Sequence, residues 1–141
     1  MKKIALLLSF VLFVSLVFAG IVPVKTAKNV ALNKNHELKG TFQTVSDDVV
    51  IVYENSDPVY YVFNLADNSG YIIVSAEDVT NPVLGYSYSN SFNSNNLPVQ
   101  LNELLNGYKE QIVGTRINKS SQSSEIRSMW IKYGQAPKLF S

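Results

Sequence analysis

The chain contains no cysteine among its 141 residues. It therefore cannot form a disulfide, offer a thiolate to a metal or a substrate, or carry a lipid anchor on cysteine. If the protein is exported, its stability has to come from the burial of its own apolar side chains. After loss of an export leader the chain would have about 120 residues. A chain of that length buries roughly two-thirds of its unfolded surface, which is enough for one stable domain.

Groups suited to catalysis are also scarce. His36 is the single histidine and lies in a polar stretch, which predicts an exposed loop residue without a catalytic role. The pairs Asp47-Asp48 and Glu77-Asp78 are adjacent in sequence, so their carboxylates point apart on a strand and suit turns better than acid–base catalysis. The sequence shows no phosphate-binding loop, metal-ligand cluster or nucleotide fingerprint. These observations argue against an enzyme, a cofactor or a metal site.

Charge of one sign does not dominate the chain. The 12 basic and 11 acidic residues nearly balance, and loss of a leader containing Lys2 and Lys3 would leave 10 basic residues against the same 11 acids. A balance of this kind gives no electrostatic basis for binding nucleic acid or an anionic membrane surface.

A long apolar run occurs once, at the N-terminus. Two lysines precede the apolar residues 4–19, and Val17-Phe18-Ala19 followed by Gly20 offers a signal-peptidase site, with small or compact residues at the two positions that the enzyme checks. We therefore predict a signal peptide over residues 1–19 and a protein that is exported, either to the periplasm or as a secreted protein. The alternative is an uncleaved membrane anchor, because apolar residues continue almost unbroken to residue 24, long enough to span a bilayer.

Apolar segments separated by polar turns dominate the middle of the chain. Their content of Val, Ile, Phe and Tyr predicts five candidate strands: residues 40–45 (a weak edge strand), 49–53, 59–64, 71–75 and 83–87. The polar stretch 66–70 ends in a glycine, as a hairpin loop requires, and a turn is expected at 46–48. The two central segments are apolar almost continuously, which indicates that both faces of the sheet are covered.

Two predicted helices flank these strands, and their amphipathic patterns differ in strength. A short, weakly amphipathic helix is predicted within residues 23–38, where Ala27, Val30 and Ala31 share a face until polar residues interrupt it at residue 33. The main helix has a continuous apolar stripe, which should pack across the sheet: Leu101, Leu104, Leu105, Tyr108 and Ile112. Asn96 or the turn beside it is expected to cap this helix, and Gly114 to end it.

Together these elements predict an α+β fold. It has a four- to five-stranded antiparallel sheet, with the main helix of the C-terminal half packed on one face and a short N-terminal helix. Residues 20–118 form the predicted domain. Residues 119–124 are Ser-rich and residues 125–133 show helical spacing, so we interpret 119–141 as a linker and a tail ordered only against a neighbour or a partner.

Three motifs in the predicted sheet resemble a known family. They are Tyr-Val-Phe-Asn at 61–64, Gly-Tyr-Ile-Ile-Val-Ser-Ala-Glu-Asp at 70–78 and Pro-Val-Leu-Gly-Tyr-Ser at 82–87. They are similar to the pro-domain of streptopain-type cysteine peptidases and to the free-standing inhibitors related to it, and the resemblance covers roughly residues 27–112. It implies an exported inhibitor of a streptopain-like cysteine peptidase rather than an enzyme. Residues 129–130 and 135–137 loosely resemble the junction to the catalytic domain, so the chain looks like a pro-domain without its enzyme.

The stretch 88–100 is the candidate functional segment. Its composition alone, rich in Asn and Ser around a single Phe92, predicts an ordinary surface crossover. The resemblance implies more, because in streptopain-like zymogens the loop before the main helix enters the active-site cleft and an Asn there displaces the catalytic histidine. That blocking position falls at or near Gln100, with Asn96 as the other candidate. The predicted peptidase-binding loop comprises Asn93, Asn95, Asn96, Leu97, Pro98, Val99 and Gln100.

Two other functions stay open at this point. A pro-domain relative could assist the folding of a separately encoded peptidase, which refolding yields with and without the protein would reveal. It could also be a surface or structural domain in which the loop does nothing, a hypothesis favoured by membrane attachment without peptidase binding. The partner expected in the main hypothesis is a peptidase, with no small-molecule cofactor and with membrane contact only if the leader stays uncleaved.

Overall fold

The computed structural model describes residues 20–42 and 44–138, so the predicted signal peptide at 1–19 lies outside the described residues. The main elements in chain order are α1 (Val24–Lys39), β1 (Val45–Glu54), β2 (Asp57–Leu65), β3 (Tyr71–Ser75), β4 (Val83–Ser87), α2 (Val99–Ile117) and α3 (Ser124–Gly134). Within these ranges the four strands form one antiparallel sheet in the order β1-β2-β3-β4. The predicted α+β fold is confirmed.

β2 and β3 form the central hairpin that the sequence predicts. Their register pairs Phe63 with Ile72. The connection contains a short 3-10 turn, Ala66–Asn68, and then Gly70, whose φ is 128°. A Cβ on Gly70 would overlap the carbonyl oxygen of Ser87 at the end of β4. Glycine is therefore required here both by the backbone conformation and by the close approach of β4.

β1 is longer than predicted and contains an irregularity where a turn was expected. Val45 already pairs with Leu65, and the register shifts before Val49 pairs with Phe63. The polar residues 46–48 lie within the strand, so the predicted turn there is a bulge. Residues 40–42 and 44 lie outside it, so the separate edge strand predicted over 40–45 is wrong. The described sheet accordingly has four strands and not five.

Two apolar clusters cover the two faces of the sheet. The face that packs against α1 and α3 buries Phe63 and Ile72. The face that packs against α2 buries Val62 and Ile73 together with Phe92 from the loop that follows β4. Successive strand residues point to opposite faces, so a strand covered on both sides is apolar throughout. The expectation that both faces are covered is confirmed.

α1 continues through the polar stretch that was expected to interrupt it. Its buried residues share one face, at i, i+3, i+4 and i+8: Ala27, Val30, Ala31 and Asn35. Asn35 therefore occupies a position of the stripe where an apolar residue would be usual. His36 lies in this helix and not in a loop, contrary to the prediction, although it is exposed as expected. Its ring stacks on Phe42 with 4.0 Å between the centroids.

α3 packs along α1 through polar contacts as well as apolar ones. Asn33 donates from Nδ2 to the carbonyl oxygens of Tyr133 and Gln135, both at 2.8 Å. The Tyr133 hydroxyl donates to Glu37 Oε2 at 2.6 Å, and Lys132 Nζ donates to the same oxygen at 3.0 Å. The segment interpreted from the sequence as a tail thus contributes a helix that contacts the start of the fold.

α2 extends past its predicted end. Leu105 and Ile112 are buried as the stripe predicts, but Leu104 is 50% exposed and lies at the edge of the contact. Gly114 is inside the helix, which ends at Ile117 with Asn118 as its C-cap, so the prediction that Gly114 terminates the helix is wrong. Neither α2 nor another helix in the described part of the chain is long and apolar enough to cross a membrane.

Candidate functional site

The loop that joins β4 to α2 spans residues 88–98 and contains a buried anchor in its first half. Phe92 is only 8% exposed and packs edge-to-face on Tyr71, with 5.3 Å between the ring centroids. The backbone N–H of Phe92 donates to Asn64 Oδ1 at 2.7 Å. Burial raises the pKa of Tyr71, so this phenol stays neutral beside the anchor. The loop is therefore fixed to the sheet at this point.

A second tether comes from the turn between β2 and β3. Asn68 has a left-handed backbone conformation with φ of 54°, which Asn adopts more readily than most residues. Its Oδ1 accepts the backbone N–H of Ser91 at 2.6 Å, and its Nδ2 lies 3.5 Å from Asn90 Oδ1. Asn68 thus shapes the central turn and also holds the loop.

The tip of the loop consists of residues 93–96 and is stabilised by hydrogen bonds among its own residues. Asn93 Oδ1 accepts the N–H of Asn95 at 3.0 Å, and the Asn93 carbonyl oxygen accepts the N–H of Asn96 at 3.2 Å. These residues are exposed. Leu97 is half-buried and packs against the apolar cluster under α2. The tip therefore projects between two side chains, Phe92 and Leu97, that pack into the core.

The remaining predicted residues begin α2. Pro98 is the N-cap residue, with φ of −55° and ψ of 144°, and no side chain caps the helix by a hydrogen bond. The prediction that Asn96 caps α2 is therefore wrong, and the cap position is occupied by Pro98, which follows the turn at residues 93–96. Val99 is 68% exposed and Gln100 is exposed in the first turn. The blocking candidates Asn96 and Gln100 therefore both lie at the surface, on opposite sides of Pro98.

This segment offers shape and hydrogen bonding but no titrating group. The seven predicted residues lie within residues 93–100, all of which are exposed except the half-buried Leu97, and their polar side chains are amides that both donate and accept. A cavity of about 400 Å³ lies beside it, with Tyr71, Asn93 and Leu101 among the lining residues. Across the ranges 20–42 and 44–138, no cluster of acidic and histidine side chains could hold a metal ion. The arrangement suits binding to a protein surface.

A second polar centre lies at the opposite end of α2. Glu77 is only 2% exposed, and its Oε2 accepts a hydrogen bond from Arg116 Nε at 2.8 Å. Arg116 also donates from Nη2 to the Pro58 carbonyl oxygen at 2.7 Å. Burial raises the pKa of Glu77, although the hydrogen bond and charge of Arg116 act in the other direction. Glu77 Oε1 has no hydrogen-bond partner among the residues that the structure describes.

A family model described as Spi protease inhibitor matches residues 21–112, which is more than half of the chain. The chain belongs to the Spi protease inhibitor family. The matched segment of this Spi family member contains the whole sheet and loop 88–98, and it ends inside α2. The resemblance to the streptopain pro-domain and inhibitor family is therefore confirmed.

A curated relative points to the same group of proteins. The chain is 26% identical over 104 residues to the thiol protease/hemagglutinin PrtT of Porphyromonas gingivalis. The match covers 73% of this Spi family chain and 12% of PrtT, so it concerns a small part of that protein. No solved structure matches the chain significantly.

Sequence reasoning located the loop but missed what holds it. Asn64 and Asn68 bind its backbone from β2 and from the central turn, more than twenty residues earlier in the chain. An Asn at the end of an apolar strand was a usable signal, because its amide needs a partner where the strand leaves the sheet. Glu77 was interpreted as a turn residue, and nothing near it in sequence indicated its partner Arg116.

Proposed function

We propose that this Spi family protein inhibits a streptopain-like cysteine peptidase by placing the tip of loop 88–98 and the first turn of α2 in the active-site cleft. The observation that supports this most is the exposed, uncharged tip held between Phe92 and Leu97, both of which pack into the core. A segment fixed at both ends loses little conformational entropy when it binds, so more of the contact energy appears as affinity.

Asn96 and Gln100 are the side chains that we assign to the blocking contact. Both are exposed, and neither provides a side-chain cap to α2. An amide can donate to one catalytic group and accept from another without the cost of burying a charge. Asn96 lies on the loop tip, whereas Gln100 stands on the fixed backbone of a helix. The two positions therefore make separable predictions.

Similarity to PrtT, a thiol protease/hemagglutinin, supports a cysteine peptidase as the partner. In this proposal the protein is not an enzyme. The binding segment supplies no general base, since residues 93–100 consist of amide, apolar and serine side chains, and no titrating group within it would activate the Ser94 hydroxyl as a nucleophile. Export through the signal peptide at 1–19, to the periplasm or the exterior, would place the inhibitor where such peptidases act.

The test is a titration of residual peptidase activity with purified 20–141 protein. We expect a near one-to-one loss of activity for the unmodified protein. Asn96→Ala or Gln100→Ala should raise the inhibition constant by about tenfold or more, as loss of a buried hydrogen bond does. Asn106→Ala and Gln111→Ala are matched controls, because they remove exposed amides from the body of α2. Their inhibition constants should stay within about twofold of the unmodified value.

Each other outcome rejects a stated part of the proposal. Full peptidase activity at stoichiometric excess, with the protein intact, would reject inhibition and leave a folding assistant or a structural domain. Rapid cleavage of the protein within residues 93–100 would show a substrate-like pro-domain and not an inhibitor. Tight inhibition that the control variants weaken as much as Asn96→Ala would place the contact elsewhere on α2.

A further inference from the structure

The first residues that the structure describes pair with the turn after β3. The Val22 N–H donates to the Ala76 carbonyl oxygen at 2.9 Å, and the Asp78 N–H donates to the Gly20 carbonyl oxygen at 3.3 Å. Between these bonds, Ile21 and Glu77 form an antiparallel bridge. The Gly20 nitrogen then donates to Asp78 Oδ1 at 3.0 Å. The Asp78 carboxylate therefore accepts a hydrogen bond from the backbone nitrogen of Gly20, which would become the new N-terminus after cleavage at the predicted signal-peptidase site.

Cleavage at that site changes the chemistry of this nitrogen. Hydrolysis of the Ala19–Gly20 peptide bond consumes one water and leaves a carboxylate on Ala19 and an ammonium group on Gly20. The neutral N–H becomes a cation with three donors, and hydrogen bonds between two ionised groups are shorter and stronger than neutral ones. We propose that signal-peptidase cleavage after Ala19 creates an ion pair between the Gly20 α-ammonium group and Asp78, which fastens the mature N-terminus to the turn at residues 77–80.

The surroundings of the new ammonium group carry charges of both signs. Gly20 lines a cavity of about 540 Å³ whose charged lining residues are Asp57, Glu77, Arg116, Lys119 and Arg127. Arg116 is held by Glu77, and Arg127 Nε donates to the Gln122 side chain at 3.3 Å. The basic side chains lining the cavity oppose a further positive charge, whereas Asp78 contacts the nitrogen directly. The short-range contact to Asp78 should therefore dominate.

The position of this ion pair gives it a structural consequence. The turn at 77–80 is also held by Arg116 through Glu77, and by Trp130, whose Nε1 donates to the Thr80 carbonyl oxygen at 2.9 Å. Gln122 Nε2 donates to the carbonyl oxygen of Asp78 itself at 2.7 Å. Contacts from the end of α2, from the segment before α3 and from α3 thus converge on the turn that would receive the new N-terminus. Signal-peptide cleavage would therefore stabilise the packing of the N-terminus, the turn at 77–80 and the two C-terminal helices against one another.

The test compares proteins that begin at Gly20 with proteins that begin at Ala19. In the longer protein, Gly20 keeps its amide N–H and the ammonium group moves one residue away. We expect the 20–141 protein to unfold at a temperature about 2–4 °C higher than the 19–141 protein, and Asp78→Asn should abolish that difference. Asp57→Asn is the matched control, since Asp57 lines the same cavity while the Gly20 nitrogen donates its hydrogen bond to Asp78, and it should leave the difference intact.

A second measurement reports on the charge itself. In 15N-glycine-labelled 20–141 protein, the Gly20 amino nitrogen should titrate with a pKa above the ordinary α-amino range, because the Asp78 carboxylate favours the charged form, and Asp78→Asn should return the pKa to that range. The mass of the exported protein should equal that of 20–141. An ordinary α-amino pKa with equal unfolding temperatures, or a mature protein that begins at another residue, would overturn the proposal.

Discussion

Replacement of Arg116 by methionine would leave the Glu77 carboxylate buried without its counter-charge. The Glu77 side chain is 3% exposed and the Arg116 side chain 21%, so water can replace little of the lost interaction. Breaking a buried ion pair from one side costs about 3–5 kcal/mol of unfolding free energy, because an uncompensated charge remains. Glu77→Gln should cost only about 1–2 kcal/mol, since the amide still accepts from Arg116.

The pH dependence of this penalty follows from the raised pKa of Glu77. Its pKa in the folded protein lies above the ordinary value of 4.5, chiefly because of burial. The carboxyl therefore contributes stability that is fully present below pH 4.5 and is lost as the pH rises through the folded-state pKa. Without Arg116 that folded-state pKa rises further. The destabilisation caused by Arg116→Met should accordingly shrink as the pH is lowered from 7 towards 4.5.

Urea unfolding followed by the fluorescence of Trp130, the single tryptophan, measures these values. Arg127→Met is the control, because Arg127 is exposed and its bond to Gln122 is a surface contact, so its cost should stay below about 0.5 kcal/mol. In the Glu77→Gln background, Arg116→Met should lower the unfolding free energy by at least about 1 kcal/mol less than it does in the unmodified protein. A cost of Arg116→Met that is no larger than that of Arg127→Met, or that is the same with and without the Glu77 carboxylate, would contradict a stabilising ion pair between Arg116 and Glu77.

Three further predictions concern other parts of the fold. Asn35 is 1% exposed and its amide has no hydrogen-bond partner within residues 20–42 and 44–138, so Asn35→Leu should stabilise the protein by about 1–2 kcal/mol in urea unfolding; destabilisation would contradict this. Hydrogen bonds, first from Lys34 and then from Tyr133, lower the pKa of Glu37 to about 2, so its contribution is present above pH 4.5 and lost as the pH falls towards 2. Because Glu37 is solvent-exposed, Glu37→Gln should cost only about 0.5–1 kcal/mol at pH 7, and an equal cost at pH 2 would argue against this account. Phe92→Ala should cost about 3–4 kcal/mol and weaken peptidase inhibition, and intact inhibition would show that the tip does not need its anchor.

The sheet was predictable because its signals are local. Strand composition, turn residues and Gly70 fall within a few positions of each other, and the almost continuous apolar segments showed that both faces are covered. The bulge in β1 was not predicted, because its polar residues have the composition of a turn. Only the pairing of Val45 with Leu65, twenty residues further along the chain, shows that the strand starts earlier.

The polar contacts could not be predicted because their partners are distant in sequence. Glu77 meets Arg116 across 39 residues, and Asn33 meets Tyr133 across 100. No periodicity links such pairs. The candidate loop was predictable in extent from its Asn- and Ser-rich composition. Its assignment to the site came from the family resemblance, since composition alone indicated an ordinary crossover.

The two anchors of loop 88–98 also determine how this protein tolerates sequence change. Phe92 and Leu97 provide the apolar packing of the loop, so residues 93–96 between them contribute little to the core. Under the proposed function, substitutions in those four positions alter the surface that the peptidase contacts and leave the sheet and the helices unchanged. New target preferences could therefore be selected from a library confined to the tip, much as antibodies diversify their loops on a constant sandwich.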